Sequence, residues 1–135
     1  MAWSFSEHGK LHAYVDDNIL VVEGEGPWNS EQLEKTTRDA RSTLEALYGK
    51  PWGVMTVMRG DAVYIPEAAE SLVKLIRREK HKGRQCTAIV LKDCAKPVFC
   101  RQHLSAIYTE AEENFAFFET EDEAKSWLTE HIHSA

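Results

Sequence analysis

The chain predicts an α/β fold: a five-stranded, mostly parallel mixed sheet with four helices and an N-terminal hairpin. Three observations carry this expectation. Strand-length apolar segments alternate with segments whose apolar residues recur at helical spacing. Two of the strands, at 52–58 and 86–91, are nearly continuous apolar runs, as strands covered on both faces require. The first two strands are separated only by Asp16-Asp17-Asn18, too short for a crossover, so that pair is antiparallel.

Leu11, Ala13 and Val15 alternate with His12, Tyr14 and Asp16, the pattern of a half-buried strand. Asp16-Asp17-Asn18 suits a turn, because these side chains bond nearby backbone and tolerate left-handed dihedrals. Ile19 to Val22 returns as the second strand, and Gly24, Gly26 and Pro27 are expected to end it. Asn29 with Gln32 three residues on makes a capping box. Leu33, Ala40, Leu44 and Leu47 then give one helix an apolar face, with Gly49 as its stop.

The stretch from Pro51 to Lys82 is the hub. An apolar strand, Trp52 to Met58, leads into a polar loop, Arg59 to Tyr64. Pro66 suits the first helical position, where its missing N–H is not needed. Ala69, Leu72, Val73 and Ile76 line one face of the helix, and Gly83 closes it. Cys86 to Leu91 is the buried fourth strand, and Asp93 to Lys96 a loop. Pro97 opens a third helix with Cys100, Leu104, Ile107, Tyr108 and Ala111 inward. Phe115 to Phe118 is a short last strand. Thr120 with Glu123 caps a final helix that turns Ala124, Trp127, Leu128 and Ile132 inward. Strands alternating with helices imply right-handed crossovers. In open α/β sheets ligands gather at the carboxyl ends of strands, so a site is expected beside the Arg59–Tyr64 loop.

The 135 residues suit one domain spanning 1–135, with 43% hydrophobic and 28% charged residues, ordinary for a soluble protein. A net charge of -6 counts against a general nucleic-acid binder. No apolar run approaches the roughly 20 residues needed to cross a bilayer. The first residues lack the basic-then-apolar order of a signal peptide. Three cysteines without a CxxC pair point to reduced thiols and a cytoplasmic location.

Element order and several short matches resemble the SpoIIAA-like branch of the STAS family, the anti-sigma-factor-antagonist fold. The matches are Gly26-Pro27-Trp28-Asn29, Gly49-Lys50-Pro51-Trp52, Arg59-Gly60, Pro66-Glu67-Ala68, Phe99 with Arg101 to Leu104, and Glu123-Ala124 with Trp127-Leu128. The resemblance implies a small regulatory or binding domain without an established catalytic set. It also implies a likeness in shape to lipid-carrying domains. In the wider fold a Ser or Thr at the start of the second helix is the phosphorylation switch. The matching positions here are Tyr64, Ile65, Pro66 and Glu67, and no Ser or Thr occurs from Arg59 to Glu70. The switch therefore lacks a hydroxyl to receive the charge.

Candidate chemistry is sparse. Cys100 and His103 are neighbours on one helical face, either a thiolate–imidazole pair, two metal ligands with Cys94 as third, or a buried thiol beside a hydrogen-bonded histidine. Cys86 lies in a buried strand and is structural. His131 and His133 form a pair at the C-terminus that solvent exposure explains. Arg59 and Asp61 follow the central strand with Arg101 facing them, either a fork for phosphate or carboxylate or a salt bridge holding the loop. Trp28, Tyr64, Phe99 and Tyr108 line a pocket or interface at one end of the sheet or pack as core, with Tyr64 expected exposed. Arg77, Arg78, Lys80, Lys82 and Arg84 form a basic cluster, and residues 110–123 hold seven acids and no Lys or Arg. Opposed patches of this kind steer partners or self-association. No Gly-rich phosphate loop is present, so nucleotide hydrolysis is unsupported.

The sequence thus predicts a non-catalytic cytoplasmic binding or regulatory module, with no metal or cofactor. It would bind a protein partner or a small apolar or anionic ligand through Arg59, Asp61, Tyr64, Phe99, Arg101, His103 and Trp28. A homodimer is a further expectation. The alternative is a Cys100–His103 enzyme or metal site.

Overall fold

A computed structural model describes residues 10–132. The strands are β1 (Lys10–Asp16), β2 (Ile19–Trp28), β3 (Trp52–Tyr64), β4 (Arg84–Lys92) and β5 (Asn114–Phe118). They lie in chain order across one sheet, with β1 antiparallel to β2 and the other pairs parallel. The helices are α1 (Ser30–Asp39), α2 (Arg41–Leu47), α3 (Pro66–Lys80), α4 (Pro97–Glu110) and α5 (Glu121–Ile132).

The mixed sheet, the hairpin and the central place of β3 are as expected. The helix count is five rather than four, because the first helix breaks at Ala40 (φ -92, ψ 2). The break lets its halves serve different cores. Leu33 packs with α3 and α4, whereas Leu44 and Leu47 pack on Leu20, Trp52 and Val54. Thr36 and Thr37 donate their hydroxyls to the carbonyls of Gln32 and Leu33, a back-bonding that bends helices.

Period two along β3 divides the core. Gly53, Met55 and Val57 face α5, and the even positions face the four other helices. Gly53 lets α5 sit close there, since a Cβ would stand 3.0 Å from the Ile132 side chain and 3.1 Å from that of Leu128. The three crossovers thus run over one face while α5 alone covers the other. Strand order never reverses, so the sheet has no topological switch point, the crevice on which the strand-end rule depends.

One buried polar cluster escaped the sequence reading. Arg84, at the start of β4, bonds Glu79 of α3 and Glu113 before β5, each at 2.7 Å, and donates to Thr87 at 2.8 Å. Burial works against its charge, but Glu113 and Glu79 outweigh that and hold the guanidinium above the usual arginine range. Arg84 therefore leaves the expected surface cluster. Arg77 and Lys80 in turn donate to the carbonyls of Glu110 and Glu112 at the end of α4, where the helix dipole favours cations. Three of the five basic residues, Arg77, Lys80 and Arg84, are thus engaged by the segment from Glu110 to Glu113.

Candidate functional site

The stretch expected as a loop is strand. Pairing of β3 with β4 ends at Arg59↔Lys92, but pairing with β2 continues through a bulge to Trp28↔Tyr64. The two strands form an arm beyond the sheet. Gly26 permits it, because a Cβ there would lie 2.0 Å from the Asp61 carbonyl oxygen, and Gly60 supplies a positive φ of 67°.

This arm corrects the positions of two expected site residues. Trp28 is fully buried, donates from Nε1 to the Lys10 carbonyl at 2.7 Å, and packs on Tyr64 with centroids 4.9 Å apart. Tyr64, expected at the surface, is 5% exposed. Strand geometry turns its ring inward with Ala62, and burial raises its phenol far above the ordinary value. Neither side chain lies on the surface.

Of the remaining candidates, Phe99 and His103 meet at the rim where β3 ends and α4 begins. The backbone N–H of Tyr64 donates to Nε2 of His103 at 2.9 Å. Phe99, one turn earlier on α4, stacks over His103 with centroids 6.4 Å apart and planes 17° apart. Its ring is 56% exposed, beside Val98 at 68%, and Ile65 next to Tyr64 is 42% exposed. Three of the four large apolar side chains exposed among the described residues therefore stand where α3 and α4 begin, the fourth being Tyr14 on β1.

Cys100 turns the other way, into the core, so the helix does not present it with His103 as a nucleophile–base pair. His103 must keep Nε2 unprotonated to accept from Tyr64, and burial lowers its pKa from the ordinary value. Cys94 is partly buried, its Sγ 3.6 Å from the Lys92 carbonyl, and burial raises its thiol pKa. Burial pushes the Cys86 thiol up to about 12. Among the described residues no three His, Cys, Asp or Glu side chains stand together to hold a metal. His131 stacks on Trp127 and bonds its carbonyl, and His133 lies outside the described residues.

The expected charged fork does not assemble. Arg101 lies over the Phe117 ring at 4.7 Å, and Asp61 is exposed on the arm. Arg59 is half-buried and forms no ion pair among the described residues.

Two rim residues were missed. Val98 lies out of phase with the inward Cys100–Leu104–Tyr108 stripe, and Ile65 occupies a cap position that favours Ser, Thr, Asp or Asn. Both anomalies are visible in sequence.

No family model matches the chain, and no curated protein matches it. Among solved structures, the chain is similar to an uncharacterized protein of the DUF3478 family with a SpoIIAA-like fold from Shewanella loihica PV-4. The TM-score is 0.55 at 17% identity, covering 90% of this chain and 94% of that one. The fold is therefore SpoIIAA-like. No helix among the described residues is long and apolar enough to cross a membrane.

Proposed function

We propose that this chain, a SpoIIAA-like fold, is a non-catalytic binding module that docks a protein partner on the rim of Ile65, Val98 and Phe99. The clustering of those exposed apolar side chains on two elements joined by the Tyr64–His103 hydrogen bond carries the reading. An apolar centre ringed by polar groups is the anatomy of a docking patch. Asp61 and Arg101 provide charges at its edge. The hydrogen bond fixes the patch before a partner arrives, which lowers the ordering cost of association. Ile65 caps helix α3 without a side-chain bond, so recognition here uses apolar contact where a hydroxyl switch would use charge.

A double variant, Val98→Glu with Phe99→Ser, tests the assignment by affinity purification from the native host. The partner recovered with the unaltered chain is lost with the variant, whose urea midpoint is unchanged. Recovery of the same partner by both proteins contradicts the proposal.

A further inference from the structure

Away from the rim, α1 and α3 meet over β1–β3 with a space beneath them. The cavity has a volume of about 60 Å³. Its walls are Leu11, Ala13, Leu20, Val22 and Leu72, and its inner end is polar, with Thr56, Tyr64, Tyr108 and Arg84. Thr56 is 4% exposed and shares the polar end of the cavity with the Tyr108 hydroxyl, which interacts with its side chain. Burial keeps the neighbouring phenols protonated as donors, that of Tyr108 pushed up to about 12.

Outside, a groove of about 390 Å³ runs along the same seam. Leu33, Thr37 and Leu75 line both spaces, so the two are neighbours across these side chains. The groove is bordered by Arg38, Arg41, Lys74 and Arg78 against one acid, Glu34. None of the four cations forms an ion pair among the described residues. On a chain of net charge -6 this concentration of unpaired cations is a local reversal of sign.

We infer that the α1–α3 seam binds a small carboxylate with a short unbranched apolar tail. The head lies among Lys74, Arg78, Arg38 and Arg41, and the tail passes Leu75 into the cavity. The cavity equals about two waters' share of liquid volume, which limits the tail to a few carbons. This site uses none of Ile65, Val98 and Phe99, although Tyr64 touches both places.

Calorimetric titration of the full chain with straight-chain carboxylates from acetate to octanoate tests the inference. Affinity is expected to rise about fourfold per methylene over the first few carbons and then level as the cavity fills. Octanoate is expected to shift the NMR signals of Thr56 and Tyr108. The exposed pair Lys74→Ser with Arg78→Ser is expected to weaken octanoate about tenfold while leaving octanol binding unchanged. Absent octanoate binding would overturn the inference, as would affinity independent of chain length. Equal affinity of the charge variant, or octanoate shifts that avoid Thr56 and Tyr108, would do the same.

Discussion

The amide of Tyr64 and the imidazole of His103, joined across 2.9 Å, tie the end of the central strand to the first turns of α4. That bond makes Ile65 and Phe99 parts of one surface, since each is adjacent to or stacked on one of its partners. It also places a titratable group at the joint.

Removing the acceptor leaves a buried amide unbonded. His103→Leu is expected to cost about 1–3 kcal/mol of stability, measured by urea unfolding. His103→Gln, which restores an acceptor, is expected to recover part of that loss.

Acid should weaken the same joint. Burial holds the His103 pKa below the ordinary 6.5, so as pH falls the unfolded chain takes up this proton before the folded one. Stability from this group is complete above pH 6.5 and declines as pH drops from there toward the lower folded value. The difference in unfolding free energy between the unaltered chain and His103→Leu should therefore shrink from about pH 7.5 to pH 5.5. A constant difference would show that the imidazole titrates alike in both states.

The buried Arg84 cluster predicts an asymmetry. Arg84→Ala strands Glu79 and Glu113 and is expected to cost about 3–5 kcal/mol. Replacing all three by apolar residues of similar volume is expected to restore most of that loss, because no charge is left uncompensated. Thermal unfolding of the two variants makes the comparison.

Close approach of the β2–β3 arm makes Gly26 intolerant of any side chain. Gly26→Ala places a methyl 2.0 Å from the Asp61 carbonyl oxygen and is expected to cost about 1–3 kcal/mol or more. Hydrogen exchange should show the loss localised at residues 59–64, with the α5 face unaffected.

Much of the fold was legible because periodicity and punctuation agree along the chain. Asn29 with Gln32, Pro66 and Pro97 mark helix starts where they fall, whereas α3 ends at Lys80, three residues before Gly83, with His81 as its cap. The Cys100–Leu104–Tyr108 stripe faces the core as its spacing indicates. What stayed hidden depended on pairing between distant strands. Arg59 to Tyr64 carries polar and glycine residues that suggest a loop, yet β2 extends through Gly26 and Pro27 to pair with it. Sequence alone gives no sign of that partner. Arg84 was hidden for a similar reason, since its acids lie five and 29 residues away. At the rim, Phe99 was found from its aromatic character. Val98 and Ile65 required noticing apolar residues where phase and cap preference disfavour them.

The central claim is that a partner docks where α4 begins, and site-specific photocrosslinking in the host cell addresses it most directly. A benzoyl-phenylalanine in place of Phe99 should yield one discrete protein adduct, which disappears when Val98→Glu is added. The same group in place of Glu130, exposed on α5 across the sheet, should yield none. Equal adducts from both positions, or none from position 99, would contradict the account.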